Sequence, residues 1–461
     1  MGGQSRRAAP TQAREGFAAQ PATAADLDLV EARLMETLLF LSLILVSWFP
    51  VKGALQGVVY GLPLVVLFYG LLSGRLRWGR YGWLVNFAFI ALILLGALWH
   101  AEDFLPLNFA LGLLTYGSLA LLGWRWRNPE RLFHVMVAAL AFTSIFEFML
   151  GLAQLYLMQG TFIFRYGGDG DAVVGTLLTH SHLLVVKLWL QAFVLMCAYG
   201  FGFRAFYVLP GVVASVLGAI YGSAIFVSVL FFAAVGVIVL WSPLGRMWRL
   251  RGVVVVAGIL GFLVFGYTQR DNLEYLEKTL RVTFGALVSG EELRLGKARA
   301  VQRSWNYLSE HGTQMIFGAG LGQYSSRAAM ILTGEYLSDQ AGDLPVSMSE
   351  ATYENIYPLW NRISRSIPYQ DGVLQQPFQS VQSWVMELGL VGLLIVVLAA
   401  LALGMRLSQV VASEALRFVG FGLLVLVPVL CLSDNWLEYP SFMLPVVLLI
   451  SLIFSYRGHT V

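Results

Sequence analysis

Residues 384–404 read WVMELGLVGLLIVVLAALALG, an apolar run interrupted by one charge, Glu387. About twenty such residues at 1.5 Å rise cover the roughly 30 Å of bilayer hydrocarbon. About eleven or twelve runs of this kind flank one polar stretch, from about Tyr267 to Ser383. The composition agrees: 58% of residues are hydrophobic and 12% charged, with mean hydropathy +0.71. That profile excludes an ordinary soluble globule. The fold expected is an all-α polytopic membrane protein whose polar insert is where chemistry should occur.

The spans are expected near 34–51, 54–74, 82–99, 104–123, 132–157, 182–202, 206–221, 223–241, 252–268, 384–404, 416–433 and 438–456. Arg75, Arg77 and Arg80 follow the second, Arg125, Arg127 and Arg131 the fourth, and Arg246, Arg249 and Arg251 the eighth. Arg204, Arg406 and Arg417 continue the alternation, whereas His100-Ala101-Glu102-Asp103 and Ser433-Asp434-Asn435 carry no Lys or Arg. By the positive-inside rule both termini are cytoplasmic and the polar loop is outside. The domain reading is a disordered cytoplasmic tail over 1–30, spans one to nine over 31–268, an outer loop over 269–383, and three spans with a short tail over 384–461. Cys197 and Cys431 fall inside spans, so the loop has no disulfide available. The net charge of +3 identifies no partner, and nothing points to nucleic acid.

Two outward regions carry the chemistry-bearing residues. One is the loop from Gly160 to His182, with Arg165, the Gly175-Thr176 pair, His180 and His182. The other is the large loop, with Arg294, Arg299, Arg303 and Trp305 on a helical stretch, then Phe317-Gly318-Ala319-Gly320-Leu321-Gly322. Outer arginines run against the positive-inside bias and so ask for a reason. Guanidinium offers phosphate a planar bidentate fork, and a phosphate outside the cytoplasm is most plausibly on a lipid. Pairing with Glu291, Glu292 or headgroups is the plainer account. The glycine run resembles a phosphate cradle but lacks the following Lys and Ser/Thr, and a turn explains it equally well. Two histidines two apart share no helix face and have no evident third ligand, so no metal is expected. Within the membrane Glu147 and Lys187 are the exceptional charges, placed to pair, with Gln154 extending a polar stripe from Glu147.

These residues resemble the bacterial O-antigen ligase and polymerase superfamily, which includes Wzy-type polysaccharide polymerases. The resemblance lies in about twelve spans with the largest outer loop after the ninth, and in three loose patterns in order. Those are Arg165 followed by Gly175-Thr176, Arg299 to Trp305 leading into the glycine turn, and Glu387-Leu388-Gly389-Leu390-Val391-Gly392. One departure matters: the ligases' histidine position is Phe378 here, followed by Gln379, and no His occurs from Gly312 to Gly458. The loop also carries Tyr353, Tyr357, Trp360 and Tyr369, suited to sugar stacking or, for most of them, to a small core.

The resemblance implies transfer of a glycan from undecaprenyl diphosphate to an acceptor hydroxyl, with no cofactor and no metal. Arg165, Arg299 and Arg303 are the expected clamp for the leaving diphosphate, with Arg294 weaker. Gly318, Gly320, Gly322, Trp305 and His180 are the expected substrate contacts. The acceptor's proton needs a base. Glu387 is a candidate for that role, and Glu354, Asp371, His311, Asp434 and Glu438 are equally open. The function expected is a polymerase of lipid-linked oligosaccharide repeat units in the bacterial inner membrane, in exopolysaccharide or O-antigen synthesis. Its partners would be the undecaprenyl-diphosphate-linked oligosaccharide and the bilayer, with flippase and chain-length or export proteins as further ones. A ligase, a lipid-linked sugar transporter, or an inert subunit of an export complex are the alternatives.

Overall fold

The computed structural model describes residues 24–49, 54–76, 90–94, 96, 104–162, 173–177, 181–200, 202–222, 224–241, 295–334, 347–366, 376–409 and 414–455, with scattered positions from 255 to 288. Among these the secondary structure is helical, with one isolated bridge between Leu76 and Trp124. The chain runs α1 (Ala24–Val46), α2 (Ala54–Leu72), α3 (Pro106–Thr115), α4 (Pro129–Gln159), α5 (Ser181–Gly200), α6 (Ala205–Tyr221) and α7 (Ile225–Trp241). The loop supplies α8 (Gly296–Glu310), α9 (Gly312–Phe317), α10 (Arg327–Leu332), α11 (Glu350–Asn355) and α12 (Arg362–Ser366). Then come α13 (Ser380–Gln409), α14 (Glu414–Leu430) and α15 (Pro440–Ser455).

Among the described residues three helices are long and apolar enough to cross a membrane: Pro129–Gln159, Ser181–Gly200 and Ser380–Met405. Pro106–Thr115 with the 3-10 turn Gly117–Gly123, bent by 41°, makes a fourth if taken as one span. Several other apolar helices, α15 among them, are shorter. By length and composition these helices fit a membrane location. The expected spans over 82–99 and 252–268 lie largely outside the described residues.

Three details go beyond the expectations. The helix of α1 begins at Ala24, inside the expected tail. The fourth span is not one straight α-helix, because Tyr116 (ψ 0°) passes the chain into the 3-10 turn. The tenth is interrupted: Gly389 has φ 68° and ψ −173° within α13. Only glycine takes that conformation without strain, and its missing side chain admits the Ile316 carbonyl, 2.2 Å from where a Cβ would stand.

The bundle core is centred on α5 and α15, whose residues are almost all buried. At one end Glu36 of α1 accepts from the Arg75 guanidinium (3.1 Å) and the Arg127 backbone N–H (3.0 Å). There too the Trp126 indole donates to Ser451 Oγ (2.8 Å), and the Arg125 guanidinium donates to the Phe454 carbonyl. The opposite end of α1 carries Ser47 and Trp48, about 17 Å away by helical rise. That end meets the segment before α5. The loop helices build a separate small core from Ala300, Leu308, Tyr324, Met330, Ile356, Trp360, Phe378 and Met386.

Candidate functional site

The glycine turn is built around the break in α13. α9 ends at Gly318 (φ 80°, ψ 175°), and the next two amides hydrogen-bond α13. Ala319 N–H donates to the Met386 carbonyl (2.7 Å) and Gly320 N–H to the Glu387 carbonyl (3.1 Å). A helix interrupted at Gly389 leaves carbonyls without intrahelical partners, and in a membrane these must be satisfied by other parts of the protein. The turn satisfies them.

The glycine run forms a turn, and the anion it holds is Glu387. Its Oε2 accepts from Gly322 N–H (2.7 Å), and its Oε1 from Tyr324 N–H (3.1 Å) and Ser326 N–H (3.0 Å). Successive amides of a turn form a concave anion nest, here filled from within the chain. This geometry gives Glu387 the work of holding the turn. Gly318, Gly320 and Gly322 are correspondingly buried, and a Cβ on Gly322 would come 2.3 Å from the Asn108 carbonyl. Asn108 completes the seat, its Nδ2 donating to the Gly322 carbonyl (3.1 Å).

A second carboxylate grips the end of the same segment. Glu438, fully buried, accepts from the Arg327 backbone N–H through Oε2. Among the described residues its Oε1 has no hydrogen-bond partner within the usual limits; the Tyr116 hydroxyl stands beside the carboxyl. Tyr116 in turn accepts from the Trp384 indole (2.7 Å). The Arg327 guanidinium, buried, lies 4.0 Å over the Tyr439 ring.

Next to this stands Asp434. Its Oδ1 accepts from Asn435 N–H (2.6 Å), and Lys297, His182 and Arg327 act on it electrostatically. Burial raises its carboxyl above the ordinary value of 3.8, against the pull of those cations. Lys297 donates to the carbonyls of Phe378 (2.6 Å) and Gln376 (3.1 Å). Burial pushes its ammonium down from 10.5 to about 8, opposed by Asp434. Asn435, Ser383 and Ser325 close the cluster: Asn435 Nδ2 donates to the Ser325 carbonyl (2.9 Å), and Ser383 Oγ to Asn435 Oδ1 (3.1 Å).

Two cations and a carboxylate are therefore assembled where α8, α10, α13 and the turn before α15 converge. No known family model matches the chain, and no curated protein is significantly similar to it.

The sequence-based candidates divide. Arg165, Arg294, His180, Asp371 and Tyr369 lie outside the described residues. Arg299 is half-buried on α8. Arg303 reaches the carbonyls of Glu354 and Asn355, at 3.4 Å each, where its charge suits the C-terminus of α11. Trp305 and Tyr353 are exposed, Tyr353 stacked on Tyr357, and His311 and Glu354 are exposed too. Phe378 and Trp360 are core residues in edge-to-face contact. Lys297 and Arg327 were missed. Lys297 was legible in principle, because it begins the stripe Lys297, Ala300, Ser304, Leu308 at helical spacing that α8 buries.

The expected Glu147–Lys187 pair is not a direct ion pair. Glu147 accepts from Thr176 N–H (2.9 Å) and Thr176 Oγ (2.6 Å), while Lys187 donates to the Ser47 carbonyl and lies 3.8 Å over the Trp48 ring. Gln154 accepts from Gly175 N–H (2.9 Å) and donates back to its carbonyl (3.0 Å). The polar stripe of α4 thus grips the Gly175-Thr176 segment as Glu387 grips the glycine turn. Gly175 has φ 57°, and a Cβ there would meet Glu147 Oε2 at 2.1 Å. Gly175→Ala is expected to cost about 1–3 kcal/mol, read as a lower unfolding temperature of the purified protein. Gly57→Ala is the control, because a Cβ on that helical glycine would meet nothing within 4 Å.

Lys297 yields a pH prediction. The folded state binds its proton less tightly than the unfolded state, so the penalty for burying the charge is full below about pH 8. Between about 8 and the ordinary 10.5 the unfolded state holds more protons, so this contribution to stability rises with pH. Hydrogen exchange of α8 amides, corrected for intrinsic rate, should show opening becoming rarer across that window. The dependence should vanish in Lys297→Met.

Proposed function

We propose that this chain is a membrane glycosyltransferase of the polymerase kind, joining polyprenyl-diphosphate-linked oligosaccharide units at the face where the loop caps the bundle. The observation that carries the reading is the buried cluster of Lys297, Arg327 and Asp434 beneath the loop, at the top of an apolar bundle. Prearranged cations lower the barrier for departure of a diphosphate, whose charge develops as the glycosidic bond breaks. Lys297 and Arg327 join Arg299 in that role, and Arg165 and Arg294 remain with them as proposed clamp residues. Asp434 is the acceptor of the hydroxyl proton: it keeps 6% exposure where Glu438 has none, and burial, by raising its pKa, makes it a stronger base than an ordinary aspartate. The bundle's apolar surface suits the polyprenyl tail.

Transport is the second reading, because interrupted helices at Tyr116 and Gly389 are what substrate-moving folds use. The carbonyls of Met386 and Glu387 are taken by the glycine turn, however, so this break serves docking. A ligase is disfavoured by Phe378, which packs in the loop core in place of a histidine.

The test is the size distribution of lipid-linked and surface glycan in a strain lacking this protein. Accumulated single repeat units with loss of long chains support polymerisation. Long chains persisting on the lipid carrier mean ligation, and an unchanged distribution removes the reading.

A further inference from the structure

Helix α8 buries one stripe in the loop core and leaves a second apolar stripe bare. Val301 and Trp305, four residues apart and so neighbours on one face, are 46% and 62% exposed. Ile316 on the following α9 is 47% exposed. Further round α8 the exposed positions are polar: Gln302, Asn306, Ser309 and Glu310. Isolated exposed apolar residues are ordinary, but the position of this group along α13 is not.

α9 docks on α13 at Gly389, where the Ile316 carbonyl occupies the space a side chain would fill. Gly389 lies nine residues into α13, about 13 Å from its start at Ser380. The apolar span Ser380–Met405 has 26 residues, about 39 Å of helix against roughly 30 Å of hydrocarbon. Gly389 lies within this candidate span. Ile316 is fixed at that level of the span. Beyond Gly389, α13 continues with exposed Leu390, Leu394, Val397 and Leu401, a surface that only lipid covers in a membrane-crossing helix. Both α8 and α9 pack against α13, and tryptophan is the residue that favours the headgroup boundary.

We propose that the α8–α9 pair is embedded in the bilayer surface, with Val301, Trp305 and Ile316 in contact with lipid and the Asn306–Glu310 side in water. The occupant of this face is the phospholipid bilayer itself. The inference rests on depth and exposure and is independent of the glycan chemistry proposed above. It has a consequence for any substrate of the site: Lys297 and the half-buried Arg299 belong to a helix lying at the level of lipid phosphates, so a lipid-borne phosphate need not leave the membrane to reach them.

The experiment places a nitroxide on single cysteines at 301, 305 and 316, and at 306 and 310 as controls, in full-length protein carried in phospholipid nanodiscs. Cys197 and Cys431 are both 1% exposed and stay unlabelled, which a mock labelling of the parent verifies. Variants that keep the parent's elution volume and helical circular dichroism are compared. Collision with dissolved oxygen should exceed collision with a water-soluble nickel chelate at 301, 305 and 316, deepest at 316, with the reverse at 306 and 310. Chelate access at 301, 305 and 316 equal to the controls would place the face in water and overturn the proposal. Shielding from both reagents would overturn it too, by placing protein there. Neither result would touch the glycan reading, which stands or falls on the product distribution.

Discussion

Glu387→Ala is expected to release the glycine turn and with it the capped face of the bundle. Three buried amides, of Gly322, Tyr324 and Ser326, would lose their acceptor together. Each buried donor left unsatisfied costs roughly 1–3 kcal/mol, so the sum is about 3 kcal/mol or more. The measurement is thermal unfolding combined with limited proteolysis, where new cleavage should appear between Gly322 and Arg327. Glu387→Gln keeps one acceptor oxygen and should fall between the alanine variant and the parent. A parent-like melting temperature and protease pattern in Glu387→Ala would show that the carboxylate does not hold the turn. The same experiment bears on chemistry, because a carboxylate with three amide donors is poorly placed to take a proton from a substrate.

Asp434→Asn should abolish transfer with little loss of fold. Removal of a general base costs on the order of 10²–10⁴-fold in rate. The amide keeps the volume and can still accept from Asn435 N–H. In the parent the rate should rise with pH through a pKa above the ordinary 3.8, since the acting form is the deprotonated one and burial favours the protonated form. Residual activity in Asp434→Asn should lack that acid limb. A variant that retains parent rates across pH removes Asp434 from the reaction, and Glu438→Gln then becomes the decisive substitution.

What the sequence made legible follows from which properties are local. Apolar runs such as 132–157 and 182–202 correspond closely to α4 and α5, because membrane-length hydrophobicity is a property of consecutive residues. Arg75, Arg125 and Arg127 gather at one end of α1, meeting Glu36 and α15. The glycine run was recognisable as an anion cradle, but its anion was not, since Glu387 comes sixty-five residues later than Gly322. Gly389 stood in plain view within a quoted motif, yet its positive φ arises only because Ile316 approaches it. Arg327 drew no notice, being one arginine in a segment without periodicity. Its place beside Asp434 depends on a carboxylate, Glu438, supplied from another part of the chain. Asp434 and Glu438 were identifiable as unused acids near a helix start, and tertiary structure alone ranks them.

The position of α15 has a bearing on how the molecule is made. This helix runs through the middle of the bundle, against α1, α2, α4, α5, α14 and the turn at 117–123. It is also the last of the described helices to leave the ribosome. The Trp126 indole and the Arg125 guanidinium therefore wait through the synthesis of more than three hundred residues for the Ser451 hydroxyl and the Phe454 carbonyl. During that interval the earlier helices lack their central packing partner, and these polar groups at one end of the bundle lack theirs. The keystone of the bundle thus arrives last, and the lifetime of the half-made protein becomes a quantity on which its yield should depend.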